Sequence, residues 1–326
     1  MTKYNFVLFC KSYIGDLERA KNLKKTIDKY NIECIPLYFV VPQSDIKIMS
    51  EQIITGEENY EVNFVSDETV LSLKKNNVQN WYTQQLIKLN FWKLNICNHY
   101  LCLDSDCLFI RNFFVRDFLY DQNTPYLPLT EPLKGIETAF MQLFRYGQCK
   151  SEEDIWNSIS KNYLERDGKR FCLNVPPILS TEVLKNMENN YLKTKKMTFS
   201  DLIDINPYEY EWYCDYLLKY QPIKYVVCQT FFFSFYTETL YQIYRLLGFD
   251  LSILSQYYVG IILHEGYIKD KYYRPSLLGK IVRRFVILHY HQHKNRIENN
   301  ISFRKKLKKF IKNYIKLPIK ILILGK

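Results

Sequence analysis

The chain has 326 residues, of which 47% are hydrophobic, so it is long enough for one large or two modest globular domains and too apolar for a disordered protein. Its nine cysteines are scattered without a CxxC pair, which argues against a zinc ribbon or a disulfide framework and is typical of a reducing cytosol. The net charge of +11 is uneven, because residues 269–326 carry 17 Lys and Arg against two acids while the remainder is mildly acidic. That asymmetry indicates an anionic partner for the tail alone.

The first predicted elements alternate between strands and helices. Apolar, β-prone runs predict strands over residues 4–10, 34–41 and 61–65. A helix predicted over residues 17–30, with Asp16 as its N-cap, separates the first two strands. This alternation predicts an α/β fold with a mostly parallel sheet flanked by helices. The first run is too short for a signal peptide, and no stretch reaches the roughly 18 apolar residues of a membrane span.

The next helix, predicted over residues 80–98, carries a polar stripe. Gln84, Gln85 and Lys88 fall within one arc of roughly 100°, flanked by tryptophans. Two interpretations remain open, a partly exposed face or a face that contacts a polar ligand. The helix leads directly into the following strand, so its polar residues are expected near the end of that strand.

That strand, within residues 99–111, runs into the sequence Asp104-Ser105-Asp106. Charges at the end of a buried strand are costly unless something pairs them. A divalent cation is the simplest partner, because hard cations prefer carboxylate oxygens. Alternate residues of an extended segment point the same way, so both carboxylates can face one cation that also holds a diphosphate. The alternative is a solvated turn whose acids cap the next segment.

These motifs resemble a known family. Residues 81–89, WYTQQLIKL, followed by residues 100–110, YLCLDSDCLFI, are similar to bacterial glycosyltransferases of the GT-A fold encoded in surface-polysaccharide loci for capsule or lipooligosaccharide. Residues 176–184, PPILSTEVL, and residues 208–213, YEYEWY, resemble two later blocks of the family, although the first tyrosine of the second block stands where a small residue is usual. The likeness covers roughly residues 3–265.

The resemblance implies a GT-A-like, Rossmann-like catalytic domain over residues 1–268. Residues 1–131 would form its nucleotide-sugar-binding half and residues 132–268 its acceptor side. Residues 269–326 would follow as a basic, amphipathic helical tail.

The resemblance also implies one shared site for a metal ion and a nucleotide-diphosphate sugar, with a UDP-sugar favoured. Asp104 and Asp106 would bind Mn²⁺ or Mg²⁺, and Ser105 would lie with them against the donor. In several such enzymes a late histidine completes the metal site, which makes His264 a candidate ligand, with a hydrogen-bonded core histidine as the alternative. The other implied donor-binding residues are Lys11, Ser12, Tyr13 and Asp16 beside the base, and Gln84, Gln85 and Lys88 along the polar stripe.

An inverting transferase also needs a base for the acceptor hydroxyl. Glu209 and Glu211 are the candidate catalytic residues, on a helix predicted over residues 208–220, where Tyr210 and Trp212 are available to stack on a sugar ring. Residues two apart on a helix face different directions, so at most one glutamate points inward, and Glu209 is preferred. The alternative is a packed aromatic helix with solvated acids.

The tail is predicted to lie on a membrane. From residue 302 onward an apolar stripe is bordered by Lys and Arg, which is the pattern of an interfacial helix on anionic lipid. We therefore expect a cytoplasmic enzyme, peripheral on the inner face of the cytoplasmic membrane, with a lipid-linked or polysaccharide glycan as acceptor. Nucleic acid is the competing partner for a basic tail, and the apolar stripe disfavours it.

Other functions remain open. A HAD-like phosphohydrolase or phosphotransferase would use Asp104 and Asp106 as nucleophile and acid, but such enzymes usually place this pair after the first strand. A nucleotidyltransferase is a further possibility, although the N-terminal region has no Gly-rich phosphate loop. A non-enzymatic membrane adaptor would not need buried acids.

Overall fold

The fold is taken from a computed structural model of the chain. The residues that it describes are 2–71, 81–130, 172–173, 175–235, 241 and 251–264. Close contacts divide the chain into two units, Met1–Ser234 with Ser255–Leu263, and Phe235–Leu254 with His264–Lys326. The basic tail lies outside the described residues, so its helical character and the domain boundary before residue 269 stay predictions. None of the helices in the described stretches combines the length and hydropathy that a membrane span requires.

Strands and helices alternate through the first part of the chain. They are β1 (Tyr4–Lys11), α1 (Leu17–Tyr30), β2 (Leu37–Val41), α2 (Ile46–Ile53), β3 (Val62–Ser66), α3 (Asp67–Leu71), α4 (Trp81–Asn90), β4 (Cys97–Asp104), β5 (Cys107–Phe109), β6 (Leu119–Asp121) and β7 (Thr124–Thr130). Short 3₁₀ turns occur at Ile14–Asp16, Phe91–Leu94 and Val115–Asp117.

Five short strands and four helices follow in the described residues. They are β8 (Cys172–Leu173), β9 (Ile178–Ser180), α5 (Thr181–Met187), α6 (Phe199–Ile205), α7 (Glu209–Tyr220), β10 (Val226–Cys228), β11 (Phe232–Phe235), α8 (Leu251–Leu254) and β12 (Gly260–Leu263). A π-helical turn, Glu188–Leu192, and a 3₁₀ turn, Lys193–Lys195, extend α5.

The main sheet has the strand order β3-β2-β1-β4-β9. Neighbouring strands from β3 to β4 are parallel, and β9 runs antiparallel to β4. The α/β class expected from the alternating pattern is therefore confirmed, with a mostly parallel sheet flanked by helices. The chain moves outward from β1 to β2 and β3, then returns to place β4 on the other side of β1. The strand order thus reverses between β1 and β4.

Both faces of the main sheet are buried, because successive residues of β1 enter two different cores. Val7 and Phe9 join the core that contains buried residues of α4, α5 and α7. Phe6 and Leu8 join the core that contains those of α1 and α2. A strand buried on both faces reads as a continuous apolar run, which is why β1 is legible in the sequence.

The helix predicted over residues 80–98 is too long. In the structure α4 ends at Asn90, and β4 already begins at Cys97. Asn95 has the left-handed φ of 56° that ends the intervening 3₁₀ turn, and Cys97 pairs with Tyr4 of β1. Pairing with a distant strand determines where this helix stops, and helical periodicity within residues 80–98 does not contain that information.

Candidate active site

The carboxyl ends of β1 and β4 lie side by side. Lys11, the last residue of β1, is in register with Asp104, the last residue of β4. This is also the place where the strand order reverses, and in open α/β sheets ligands bind in the crevice outside the carboxyl ends at that point. The sheet topology alone therefore predicts a ligand site at these two strand ends.

The acidic pair spans the end of β4 and the turn that leads to β5. Asp104 has a side chain that is 51% exposed, Ser105 is buried and Asp106 is half-buried. The carbonyl oxygen of Asp106 accepts a hydrogen bond from the N–H of Leu263 in β12, which fixes the backbone of the turn. Burial, together with the nearby charge of Asp104, raises the pKa of Asp106 to about 7. Two carboxylates in this setting favour a cation beside them.

The donor set fits a hard cation that shares its ligands with a substrate. Among the described residues no group of three or more His, Cys, Asp and Glu side chains is arranged to hold a metal ion. Asp104 and Asp106 would therefore supply two carboxylates, and phosphate oxygens or water would complete the coordination, as is usual for Mg²⁺.

A buried lysine links the acidic pair to α7. The Nζ of Lys88, on α4, lies 2.9 Å from Oδ1 of Asp104 and 3.2 Å from Oε1 of Glu209, the first residue of α7. Burial opposes the charged form of Lys88, but the carboxylates of Asp104 and Glu209 outweigh it and hold its pKa well above the usual value. Lys88 is thus a permanent cation that fixes the positions of two acids.

A second buried ion pair lies at the end of β1. The Nζ of Lys11 is 3.1 Å from Oδ2 of Asp67, the first residue of α3, and donates to the carbonyl of Ser12 at 2.6 Å. Burial lowers the pKa of Lys11 and raises that of Asp67 to about 6. Oδ1 of Asp67 and Oγ of Ser12 are buried and have no hydrogen-bond partner in the part of the chain that the structure describes.

The other four residues expected beside the donor are not members of these two buried ion-pair groups. Gln85 is buried and its Nε2 donates to the carbonyl of Trp81 at 3.3 Å, whereas Gln84 is half-buried. Tyr13 is 37% exposed. Asp16 is the N-cap residue of α1, but its carboxylate accepts from Nη1 of Arg19 at 3.2 Å instead of capping the helix.

On α7 the two glutamates have different partners. Glu209 is buried against Lys88, whereas the half-buried Glu211 accepts from Nδ2 of Asn206 at 2.8 Å. Their placement agrees with the expectation that at most one of them points inward.

Tyr210 and Trp212 are buried, so the expectation that they are available to stack on a sugar is wrong. Both rings pack into the hydrophobic core. Nε1 of Trp212 donates a hydrogen bond to the carbonyl oxygen of Asn206.

His264 follows the last residue of β12. Its backbone N–H donates to the carbonyl of Phe235 at 3.2 Å within the second unit. Its role as a metal ligand stays a prediction.

Sequence reasoning missed Asp67. The available signal was its position, since it follows β3 immediately and the carboxyl ends of parallel strands share one edge of the sheet.

The fold and the site define an α/β protein with a buried charged cluster and an acidic pair at the switch point of a parallel sheet. The chain belongs to a family of unknown function, DUF6492, whose model matches residues 2–264. No curated protein matches its sequence.

Among solved structures the chain is similar to the galactosyltransferase LgtC in complex with donor and acceptor sugar analogs. That match has 11% identity and a TM-score of 0.44, and covers 86% of this chain and 94% of the other. The apo form of mouse xyloside xylosyltransferase 1 matches at 13% identity and a TM-score of 0.42, covering 79% of this chain and 97% of the other. At these identities the likeness concerns the fold alone.

Proposed function

We propose that this protein is a metal-dependent glycosyltransferase of the GT-A type. It transfers a sugar from a nucleotide-diphosphate sugar, with a UDP-sugar favoured, to a lipid-linked or polysaccharide glycan in bacterial surface-polysaccharide synthesis. The observation that carries the proposal is the position of Asp104 at the end of β4 and of Asp106 in the turn that follows, at the switch point of the sheet. The resemblance of residues 81–89 and 100–110 to that family supports the same assignment.

Within this proposal the two aspartates hold a cation together with the donor diphosphate. Mn²⁺ or Mg²⁺ bound there would neutralise the negative charge that develops on the leaving nucleoside diphosphate. Lys88 pairs with Oδ1 of Asp104, and the Asp104 side chain is half exposed. The carboxylate of Asp104 can therefore still offer an oxygen to a ligand. Lys88 therefore orients this carboxylate and compensates part of the local negative charge.

Glu209 serves as the base for the acceptor hydroxyl. Its Oε1 lies 3.2 Å from Nζ of Lys88, and this ion pair fixes the side chain. Its other oxygen, Oε2, is the atom that we assign to accept the proton of the acceptor hydroxyl. A positioned carboxylate in this role contributes typically about 10²–10⁴-fold to the rate.

The competing phosphohydrolase function is not supported by the strand order. In that function the pair of aspartates would follow the first strand. Here β1 ends at Lys11 and is followed by Ser12, and the acidic pair stands at the end of β4 instead.

Donor binding tests the proposal directly. Titration calorimetry with UDP-, GDP- and dTDP-sugars, with and without Mn²⁺, should find at least one donor that binds only with the metal. CMP-sugars have a single phosphate and should bind more weakly, because they would offer fewer phosphate oxygens to a cation held by Asp104 and Asp106. Asp106→Ala should weaken metal-dependent donor binding by about 100-fold, because it removes one of the two carboxylates proposed to hold the cation. The loss of an interaction with a charged group costs about 2–3 kcal/mol.

Asp204→Ala is the matched control, because Asp204 is an exposed aspartate on α6. It should bind the donor like the wild type. Absence of metal-dependent nucleotide binding in the wild type, or unchanged binding in Asp106→Ala, contradicts the proposed function.

We also propose that the tail, residues 269–326, holds the enzyme on the inner face of the cytoplasmic membrane. Its support is the charge of 17 basic residues against two acids, since each basic residue near an anionic surface contributes on the order of 1 kcal/mol. The full chain should float with phosphatidylglycerol vesicles and not with zwitterionic ones. A variant ending at residue 268 should lose flotation and keep donor binding. Equal flotation of both proteins would exclude this role for the tail.

A further inference from the structure

Three exposed aromatic rings form a cluster beside the charged residues. Trp81 and Tyr82 begin α4, and Tyr208 immediately precedes α7; the three are 45%, 46% and 51% exposed. The Trp81 ring lies 5.7 Å from that of Tyr82 and 5.5 Å from that of Tyr208, centroid to centroid, both edge to face. We call these three side chains the aromatic platform. Exposed aromatic rings that contact one another are typical of binding sites, whereas single exposed rings scattered over a surface are ordinary.

The aromatic platform continues the face of α4 that enters the active site. Trp81, Gln85 and Lys88 recur at positions i, i+4 and i+7, which places them on one side of the helix. Seven residues of helix separate Trp81 from Lys88 by about 10 Å along the axis.

The second helix gives the same neighbourhood. Tyr208 adjoins Glu209, whose carboxylate contacts Lys88 at 3.2 Å. Tyr208 of the aromatic platform is thus adjacent in sequence to the proposed base at the start of α7, while Trp81 lies on α4, the helix that carries Lys88.

We propose that the aromatic platform binds a pyranose ring of the acceptor, close to the hydroxyl that reacts. This inference rests on the proposed function, because Glu209 is taken as the group that receives the proton of that hydroxyl. The C–H face of a pyranose packs on an aromatic ring, while the indole N–H and the phenol groups can bond its hydroxyls.

The position of the aromatic platform favours a sugar over a nucleobase. The proposed donor diphosphate lies at Asp104 and Asp106, and Lys88 pairs with both Asp104 and Glu209. Tyr208 of the platform adjoins Glu209, the residue proposed to receive the proton of the acceptor hydroxyl. The alternative occupant is the nucleobase of the donor, and the test below distinguishes it from an acceptor sugar.

Saturation-transfer difference NMR on the full chain provides the test. The probes are lactose, maltose, cellobiose and diacetylchitobiose, each with and without UDP and Mn²⁺. At least one disaccharide should receive saturation in the wild type, and UDP should not displace it. Trp81→Ala and Tyr208→Ala should each weaken that binding by about tenfold, as expected for the loss of one stacking contact. Trp81→Phe, which keeps a ring, should recover most of it.

Tyr120→Ala is the matched control. Tyr120 is a 65% exposed tyrosine on β6. Its neighbour Phe118 stacks on Phe6, which lies in the first half of β1, whereas the candidate active site is at the opposite end of that strand, at Lys11. This variant should bind the disaccharide like the wild type. Absence of binding by all four sugars, or undiminished binding in Trp81→Ala and Tyr208→Ala, overturns the proposal. Displacement by UDP would also overturn it and assign the rings to a nucleobase.

The same samples separate this inference from the proposed function. If both alanine variants keep metal-dependent UDP binding while sugar binding falls, the variants are folded and the aromatic platform is an acceptor subsite. If the wild type binds the disaccharide but no nucleotide, the proposed function fails, and the inferred acceptor role fails with it.

Discussion

Changing Glu209 to Gln is expected to lower kcat by about 10²–10⁴-fold, because an amide cannot accept the proton of the acceptor hydroxyl. The amide oxygen can still accept from Lys88, which also remains paired with Asp104. The KM for the donor should therefore change little. Initial rates of nucleoside diphosphate release, measured for transfer or for donor hydrolysis, give both constants.

Glu211→Gln is the control for that experiment, since Glu211 lies two residues away and accepts from Asn206. Its kcat should stay within a few-fold of the wild type. An unchanged kcat in Glu209→Gln would remove Glu209 from the mechanism. A change confined to the donor KM would instead make Glu209 a positioning residue for Lys88.

Replacing Lys88 by Met is expected to lower the free energy of unfolding by about 3–5 kcal/mol, the usual cost of removing one partner from a buried ion pair. The substitution leaves Glu209 buried without its cation, whereas Asp104 retains contact with water. Urea denaturation monitored by circular dichroism measures the change as a shift in midpoint at constant slope.

Lys93→Met is the matched substitution. Lys93 pairs with Glu188 where both side chains are partly exposed, so the loss should be below about 1 kcal/mol. The double variant Lys88→Met with Glu209→Gln should be less destabilised than the sum of the single changes, because both act on one ion pair. Equal destabilisation by Lys88→Met and Lys93→Met would contradict the buried-pair interpretation.

Much of the fold is legible in local sequence. β2 and the Phe6–Cys10 part of β1 are continuous apolar runs, and α1 has a periodic buried face that includes Ala20, Leu23 and Ile27. The end of α4 was not predictable in this way, because it depends on the pairing of Cys97 with Tyr4.

The candidate site was predictable as a set of residues and not as a set of contacts. Asp104 and Asp106 stand out because acids at the end of an apolar strand are costly. The bridge from Lys88 to Glu209 joins residues about 120 positions apart, so only packing of α4 against α7 reveals it. The same packing buries Tyr210, which local sequence had left available for a sugar.

The pairing of β1 with β4 also has a consequence for synthesis of the chain. Tyr4 meets Cys97 and Lys11 meets Asp104, so the central pair closes a loop of about 90 residues, whereas β1 and β2 are near neighbours in sequence. During translation the β1–β3 layer can assemble first and leaves one long edge of β1 open until β4 emerges. Such an edge is a template for pairing with other chains, and a nascent fragment that stops before β4 is thus expected to be prone to aggregation.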